Sequence, residues 1–571
     1  MQAMIIVCIK LFILFSYHAW AQPLLRNKVL ITEILADPNP SSGLPDAEFV
    51  ELCNVSDSPV NLNNWKLFSG NSVATIRTHF ILEPGKYLIV CNNAAVSDYN
   101  KYGNCIGISS FPSLPNETGL LSIHDENNNL VHATAYHDSW YRNPIKKEGG
   151  WTLEMIDVSN PCGQQQNWKA SINPTGGSPG HRNSAATSNP DLFSPQLVRS
   201  YTSDSSTLVV VFDETLDSLS ATNPDSYHFP GDKKILQVSP KPPLFTQVKI
   251  QVDGTIDPHA QVLRVENLWD CAGNRIAATS NIRFGMPASA ERQAVIFNEL
   301  LFNPKPGNVD YIEVFNRSEL IMDLSKTYLA TKSNTGLYNN IQPMANEPFF
   351  LFPGDYMAIT TDTQLVKQHF LPPTTARLIQ SSKLVSMPDD RGSLVILNEL
   401  NELIDQIDYD RKWHFPLVNN DEGVALERID PNILSTGSEI WTSASHSANY
   451  GTPGYQNSQF RTDLQVKGMI KFVQKIVSPD NDGMDDQAQI SYQMDEPGYM
   501  LTILIYNRNG KLVRQLAGNL LLGIRGHLYW DGLDDKRQSL PVGIYIMVAE
   551  IFNMKGKRKK HFESITLARK G

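Results

Sequence analysis

The chain has 571 residues, of which 41% are hydrophobic and 19% charged, and its formal net charge is −10. This composition is typical of globular protein and excludes a largely disordered chain, while the length predicts about four domains rather than one. The only dense basic cluster in the sequence is the segment 555–560. An acidic chain without a larger basic face is not expected to bind nucleic acid.

The first 21 residues have the pattern of a secretory signal peptide. Lys10 precedes the apolar run Leu11–Phe15, and the small-x-small pattern of Ala19–Ala21 precedes Gln22. An uncleaved anchor is the alternative, but Lys10 interrupts the apolar run, and a membrane span needs about 20 uninterrupted apolar residues. No later segment is long and apolar enough to be a membrane helix. We therefore expect an exported mature chain with no transmembrane span once the signal is removed.

Five cysteines remain after a signal peptide carrying Cys8 is removed: Cys53, Cys91, Cys105, Cys162 and Cys271. An odd number cannot all pair within one chain, and the sequence does not assign the partners. We expect a disulfide among the first four, since disulfides form in exported proteins. The spacing of Cys91 and Cys105 suits a loop-closing disulfide better than a zinc site.

The sequence contains an internal repeat of about 160 residues. "DAEFVELCN" at 46–54 matches "DYIEVFN" at 310–316, and three further pairs follow in the same order. These are "LEPGKYLIV" at 82–90 with "LFPGDYMAI" at 351–359, "GWTLEMID" at 150–157 with "GVALERID" at 423–430, and "GSPGHRNS" at 177–184 with "GTPGYQNS" at 451–458. The repeat predicts two homologous domains, at 28–184 and 293–458.

Each copy consists of short Val, Ile, Leu, Tyr and Phe runs separated by turn residues every 8–12 positions, which predicts β-strands packed as a sandwich. One short helix per copy is predicted near Ala94–Tyr102 and Thr363–Phe370. The repeated landmarks, including Leu62 and Trp65, resemble those of the lamin tail domain. That resemblance implies an Ig-like β-sandwich; the second copy lacks a tryptophan that matches Trp65.

Two further segments resemble other Ig-like modules. Residues 190–285, with "TLVVVFDETLD" and an Asp-x-Ala-Gly-Asn turn at Asp270, resemble bacterial Ig-like modules. Residues 465–571 resemble the Ig-like domain of the flagellar hook-capping protein FlgD and the C-terminal modules of proteins exported by the type IX secretion system. The segments that carry this resemblance are Ser478-Pro479, Asp482-Gly483, Tyr506, Asn509-Gly510, Trp530-Asp531-Gly532 and Pro541-x-Gly543-Ile544-Tyr545.

The predicted fold class is therefore all-β, a string of four Ig-like sandwich modules. The resemblance of the last module implies the export machinery as a partner.

The acidic strand of the first copy carries two glutamates that resemble an acid/base pair. In a strand, Glu51 shares a face with Phe49 and Cys53, whereas Glu48 points to the opposite face, so the two acids do not converge. Glu313 repeats the position of Glu51, next to Glu299 as Glu51 is next to Glu33. A carboxylate on an apolar face must be paired or hydrogen-bonded. We predict a structural carboxylate network in each copy and no catalytic residue.

Two other motifs resemble catalytic motifs, but we interpret both as structural. "GGSPG" at 176–180 matches the G-x-S-x-G nucleophile elbow, but Pro179 has no N–H for an oxyanion hole. We predict a turn there. His132, His137, Asp138 and Ser139 contain triad residue types, but neighbours on a strand or turn cannot relay a proton in line.

The segment "SPDNDGMDD" at 478–486 resembles a calcium loop. Asp480 and Asp482 take ligand positions of an EF-hand. The position of the bidentate glutamate is occupied by Gln489, and Asp485 and Asp486 could compensate for its absence. A turn rich in Asp and Asn is the alternative. Calcium is the one cofactor for which the sequence gives any indication.

We expect an exported or cell-surface binding or structural protein, without catalytic activity, whose partners are a protein or a glycan at the cell surface. One alternative is an extracellular metal-dependent hydrolase, similar to a nuclease or phosphatase. The other is a carbohydrate-binding protein with an exposed platform formed by Trp140, Tyr141 and Trp151, although core packing is the favoured interpretation of these aromatic residues.

Overall fold

The computed structural model describes residues 25–418, 420–433, 437–460, 469–480, 482–555 and 557–568. The predicted signal peptide lies outside these residues. The chain forms two compact units, the first made of residues up to Ile256 with Val262–Phe284, and the second of Asp257–Gln261 with residues from Gly285 onward. Both units are built from β-sheets, which confirms the all-β class. The division into four modules stays a prediction.

The first unit begins with a sandwich of a six-stranded and a four-stranded sheet. The larger sheet has the order β12-β11-β1-β2-β7-β8, the smaller has the order β10-β9-β4-β5, and β3 pairs with β6. The bounds are β1 Val29–Leu35, β2 Phe49–Asn54, β3 Val60–Asn61, β4 Lys66–Ser69, β5 Ser72–Thr75, β6 Ile81–Leu82, β7 Tyr87–Asn92, β8 Cys105–Ile108, β9 Thr118–His124, β10 Leu130–His137, β11 Leu153–Met155 and β12 Trp168–Ala170.

The larger sheet is covered on both faces, which explains why β1 and β2 are buried along their whole length. One face packs on the smaller sheet through a core that includes Val50, Leu52 and Trp65. The opposite face packs around Phe49, whose ring lies 5.0 Å from that of Tyr99 in helix α1, Val96–Tyr99. Glu51 projects to this second face, because it is two residues from Phe49.

The second half of the first unit contains two smaller sheets, in the orders β13-β14-β17-β16 and β15-β18-β19. Their strands are β13 Leu197–Asp204, β14 Thr207–Phe212, β15 Tyr227–His228, β16 Ile235–Pro240, β17 Gln247–Val252, β18 Gln261–Val265 and β19 Ser280–Phe284. β14 supplies the longest buried run here, as its apolar sequence "TLVVVF" predicts.

The second unit opens with a sandwich of the same topology as the first. Its larger sheet has the order β28-β27-β22-β21-β31-β32, its smaller sheet the order β25-β24-β29-β30, and β20, β23 and β26 form a third. The bounds are β20 Pro287–Ala288, β21 Val295–Leu301, β22 Tyr311–Asn316, β23 Ile321–Asp323, β24 Thr327–Lys332, β25 Tyr338–Pro343, β26 Phe350–Leu351, β27 Tyr356–Thr360, β28 Leu378–Gln380, β29 Arg391–Asn398, β30 Leu403–Asp410, β31 Leu426–Arg428 and β32 Trp441–Ser443.

The two sandwiches share an unusual feature, a parallel strand pair within an otherwise antiparallel sheet. β7 and β8 are parallel in the first copy, β27 and β28 in the second, and a helix connects each pair. The second helix is α2, Thr363–Phe370, so both predicted helices are present. Since parallel neighbours need a crossover connection, the shared helix and the shared strand order confirm the repeat seen in the sequence.

The C-terminal part of the second unit packs a three-stranded sheet, β33-β35-β38, and a five-stranded sheet, β34-β40-β39-β36-β37. The strands are β33 Met469–Phe472, β34 Ile476–Val477, β35 Ala488–Gln493, β36 Tyr499–Asn507, β37 Leu512–Leu521, β38 Arg525–Trp530, β39 Gly543–Asn553 and β40 Arg558–Leu567. No helix in the described part of the chain is long and apolar enough to cross a membrane.

Candidate functional site

Three glutamates stand side by side across the larger sheet of the first sandwich. Glu33 on β1 is directly opposite Glu51 on β2 and Glu154 on β11. All three side chains have 0% exposure. We call Glu33, Glu51 and Glu154 the first glutamate row. It lies beneath the chain segment that closes the sandwich.

The closing segment, 178–185, donates one backbone N–H to each glutamate. The N–H of Ser178 donates to Glu33 at 2.8 Å, that of Gly180 to Glu51 at 2.6 Å, and that of Ala185 to Glu154 at 2.7 Å. Hydroxyl groups add further donors: Thr152 to Glu33 at 2.7 Å, Thr32 to Glu51 at 2.8 Å, and Ser178 to Glu154 at 2.7 Å. The row therefore holds the closing loop onto the sheet.

The second sandwich has the same arrangement. Glu299 on β21 lies between Glu313 on β22 and Glu427 on β31, each with 0% exposure, and these three form the second glutamate row. The matching closing segment donates in the same order: Thr452 N–H to Glu299 at 2.9 Å, Gly454 N–H to Glu313 at 2.6 Å, and Gln459 N–H to Glu427 at 2.8 Å. Since both copies use the same contacts, the rows belong to the architecture.

Burial shifts the pKa of several glutamates in the two rows. Loss of solvation raises the pKa of Glu33 to about 8, and the neighbouring charge of Glu154 adds to the shift. The same causes, burial first, raise the pKa of Glu51 and of Glu299 well above its usual value. Burial also raises the pKa of Glu313 well above its usual value. Carboxyl groups that are closed to solvent and held largely protonated cannot act as a general base on an external substrate.

These contacts confirm the predicted structural network for Glu33, Glu51, Glu299 and Glu313. Sequence reasoning missed the third member of each row, Glu154 and Glu427. The signal was present, because each of these glutamates occupies the same position in the matched "GWTLEMID" and "GVALERID" segments.

The residues of the apparent nucleophile elbow serve the same closure. Ser178 uses its N–H and its hydroxyl on Glu33 and Glu154, and Thr452 uses the same two groups on the second row. Residues 179 and 180 form a turn, as predicted. Ser178 and Thr452 are both buried, so their hydroxyl groups are closed to an external substrate.

The two histidines of the triad-like motif lie in different surroundings. His132 is buried, its Nδ1 accepts the N–H of Ile31 at 3.1 Å, and its Nε2 lies 3.0 Å from the carbonyl oxygen of Pro161. Burial lowers the pKa of His132 to about 4. His137 lies at the surface, with Nδ1 2.7 Å from a carboxylate oxygen of Asp138. The two histidines therefore serve different local contacts.

The predicted calcium loop brings three of its four acids together. Carboxylate oxygens of Asp480, Asp482 and Asp486 lie within 4.8 Å of one another. Asp486 also accepts the N–H of Asp480 at 3.1 Å and that of Gly483 at 2.8 Å. Asp485 is exposed, and its backbone carbonyl accepts the N–H of Ser478 at 2.8 Å. The donor set consists of carboxylate oxygens, which suits a hard cation such as Ca²⁺.

A second acidic cluster, which sequence reasoning missed, lies in the first unit. Oxygen atoms of Asp191, Glu214 and Asp270 lie within 4.8 Å of one another. Burial and the charges of Asp191 and Asp270 raise the pKa of Glu214 to about 9, and a side-chain hydrogen bond to Asp191 contributes. No sequence signal joins three acids that are so far apart in the chain.

The disulfide pattern differs from the expected one. Cys162 pairs with Cys271, so the expectation of a bond among the first four cysteines was wrong. Cys91 and Cys105 are free thiols with their sulfur atoms 3.5 Å apart. They are not directly opposite, because Cys91 pairs in register with Gly107 and Cys105 with Ile89. Spacing in the sequence does not reveal which distant loops meet.

The basic cluster near the C-terminus is largely neutralised. Lys555 and Lys557 each lie 2.8 Å from Glu496, and Arg558 and Lys560 contact Glu550. The aromatic residues of the first copy are mostly internal. Trp140 and Tyr141 are buried, and Trp151 is half-buried beneath the ammonium group of Lys146.

Two family models match the chain. Residues 25–138 match the Lamin Tail Domain, and residues 471–567 match the CHU_C Type IX secretion signal domain. Both are non-catalytic in kind. The structure extends the first sandwich beyond residue 138, since β11 and β12 complete its larger sheet. The C-terminal match indicates a secreted or cell-surface protein.

Several solved structures are similar over part of the chain. The N-terminal part of the bacterial S-layer protein SbsC is 16% identical, with 38% of this chain and 44% of that chain covered and a TM-score of 0.16. CopC from Methylosinus trichosporium OB3b is 16% identical, with 18% and 97% covered and a TM-score of 0.13. Dimeric latent PorU from Porphyromonas gingivalis is 9% identical, with 78% and 40% covered and a TM-score of 0.16. With TM-scores this low, these similarities support no conclusion about function.

The chain spans less than half the length of the SbsC fragment that it matches. No match was found among curated proteins.

Proposed function

We propose that the chain is a non-catalytic scaffold, exported by the type IX route and held at the cell surface, where its sandwiches adhere to or display a partner. The partner is a protein or a glycan of the surroundings. This role uses what β-sandwiches supply, which is rigid sheets that present loops at their ends.

The observation that carries this proposal is the closed state of the two glutamate rows. These rows are the repeated groupings of ionisable side chains in the two sandwiches, yet every member has 0% exposure and binds its own closing segment. A hydrolase would need convergent carboxylates or histidines in a cleft that substrate can enter. The rows support a structural function for the acids that most resemble a catalytic pair.

The C-terminal match supports the proposed route. A type IX secretion signal domain at 471–567 places the export machinery among the partners. The Cys162–Cys271 bond also agrees with an exported protein, because disulfides persist in oxidising compartments. Calcium at the loop of Asp480, Asp482 and Asp486 would serve to hold that loop, with no part in a reaction.

Export is tested in a bacterium that carries a type IX apparatus, with the full chain and with a variant that ends at residue 460. Antibody labelling of intact cells should detect the full chain at the surface and should leave the truncated chain unlabelled inside the envelope. Labelling of both, or of neither, would overturn the proposed route.

The rival function, a metal-dependent hydrolase, is tested on the purified chain from residue 22 onward. The substrates are single- and double-stranded nucleic acid and phosphate esters, each with Mg²⁺, Ca²⁺ or Zn²⁺. We expect no turnover above a heat-denatured control. Turnover that increases with protein concentration would reject the non-catalytic proposal.

A further inference from the structure

The second sandwich has an open pocket of about 590 Å³ where the end of β30 meets the beginning of β29. Asp410 and Arg391 are directly opposite there, and the chain then continues through His414 and Phe415. The pocket lies outside both glutamate rows. Its walls combine charged, polar and apolar groups within one small space.

A buried histidine in the pocket wall has an unpartnered nitrogen. His414 is only 7% exposed, its Nδ1 lies 2.9 Å from the hydroxyl of Ser443, and its Nε2 has no hydrogen-bond partner. The hydroxyl of Ser443 accepts the N–H of Phe415 at 3.0 Å, which leaves the hydroxyl hydrogen for Nδ1. In the tautomer in which the Ser443 hydroxyl donates to Nδ1, Nε2 carries the ring hydrogen. A buried donor without a partner lowers stability, and a ligand acceptor would offset that loss.

The formal charges of the pocket cancel. Its three cations are Arg391, Arg411 and Lys412, and its three carboxylates are Asp390, Asp410 and Asp421. Arg411 contacts Asp421 through both Nε and Nη2. A wall with as many cationic as anionic groups has no net charge and offers both donors and acceptors, which favours a neutral ligand whose groups both donate and accept, as hydroxyl groups do.

The same pocket offers an apolar surface. Phe415 and Pro416 line it, and a Cβ atom added at Gly498 would lie 2.9 Å from the Phe415 ring, so that ring packs closely on Gly498. Aromatic rings combine a large apolar face with low conformational freedom, and they pack well against the C–H face of a sugar.

The first sandwich has a different residue at the matching position. Trp140 packs on Trp168 as Trp413 packs on Trp441, with ring distances of 6.4 and 6.5 Å, so Tyr141 occupies the place of His414. The Tyr141 hydroxyl donates to a backbone carbonyl, that of Trp151, at 2.9 Å. The larger side chain is thus satisfied internally in the first copy, whereas the smaller one in the second copy is not.

We infer that this pocket binds a neutral sugar residue of a surface glycan. In this arrangement the Lys412 ammonium group donates to sugar oxygens, the carboxylates of Asp390 and Asp410 accept sugar hydroxyls, and Phe415 stacks on the ring. Nε2 of His414 is closed to solvent in the free chain, and a small shift of the pocket wall on binding brings it to a sugar oxygen. The inference rests on the proposed surface function and names its ligand.

The test uses the purified chain from residue 22 onward on an array of neutral, uronic-acid-containing and sulfated oligosaccharides, followed by calorimetric titration of any neutral oligosaccharide that binds. His414→Tyr installs the side chain that the first copy accommodates, and we expect it to weaken binding at least tenfold. Lys412 is exposed, so Lys412→Ala should leave folding unchanged, and we expect it also to weaken binding. The matched control, Tyr141→Phe, should leave the affinity unchanged.

Failure to bind any neutral oligosaccharide would overturn the inference, and so would preference for the acidic ones. Equal binding by the chain with His414 and by both pocket variants would also overturn it. None of these results changes the surface labelling of intact cells. A failure of the sugar-binding inference can therefore be distinguished from a failure of the proposed export route.

Discussion

Closure of the first sandwich depends on Gly180. Its φ of +80° is in the left-handed region, a Cβ atom there would lie 2.4 Å from the Tyr102 carbonyl oxygen, and its N–H donates to Glu51 at 2.6 Å. Gly180→Ala adds about 1 kcal/mol of left-handed backbone strain. The clash also displaces the loop from a buried carboxyl, which costs about 1–3 kcal/mol. We expect the free energy of unfolding of this sandwich to fall by about 2–4 kcal/mol.

The chain supplies matched controls for this substitution. Gly85 has a φ of +69° with no atom within 4 Å of an added Cβ, so Gly85→Ala should cost only about 1 kcal/mol of backbone strain. In the second sandwich, Gly454→Ala would place Cβ 2.5 Å from the Arg377 carbonyl oxygen, whereas Gly354→Ala meets no atom within 4 Å.

Urea unfolding with pulse proteolysis, read by mass spectrometry on peptides from each sandwich, measures the four costs. Equal costs for the loop glycine and its control in either copy would refute the idea that the closing segment is held tightly on its row.

Three further predictions concern Glu33, the disulfide and the calcium loop. Because the pKa of Glu33 is raised in the folded state, its stabilising contribution is complete below the unfolded value of 4.5 and is lost as pH rises toward about 8. The free energy of unfolding should therefore fall over this range, and Glu33→Gln should reduce the slope by up to about 1.4 kcal/mol per pH unit in urea titrations at stepped pH. An unchanged slope would contradict the assignment. The Cys162–Cys271 bond spans 109 residues, so replacing both cysteines by serine should lower the stability of the first unit by about 4 kcal/mol. The comparison is Cys53→Ser, which replaces a free thiol. Calcium should protect the peptide around Asp482 from hydrogen exchange, and Asp482→Asn should abolish that protection; protection that survives the substitution would exclude this loop.

The parts of the fold that depend on local pattern could be predicted from the sequence. The alternation in "EFVELCN" put Glu51 on the face of Phe49, and the repeat gave the second copy its equivalent strand and helix. The prediction worked because strand periodicity and turn residues act over a few neighbours.

The contacts that remained hidden join distant segments. Nothing local to Glu154 indicates that Ala185 will donate to it, and nothing local to Cys162 identifies Cys271 as its partner. The free Nε2 of His414 likewise depends on Ser443, 29 residues away. Such partners depend on how distant segments fold back over the sheet. The spacing of residue types in the sequence does not specify that path.

The difference between the two copies separates architecture from function. The glutamate rows and the glycine turns above them are the same in both sandwiches. They make the same buried contacts and hold each module closed. Tyr141 and His414 hold equivalent positions, yet one is satisfied by a backbone carbonyl and the other keeps an unpartnered nitrogen in a charged pocket. A buried polar group that is left unsatisfied lowers stability. Exchanging these residues, with His414→Tyr in one variant and Tyr141→His in another, should therefore stabilise the second sandwich and destabilise the first. Destabilisation of the second sandwich by His414→Tyr would show that the histidine is needed for folding and would remove the reason to assign it a ligand.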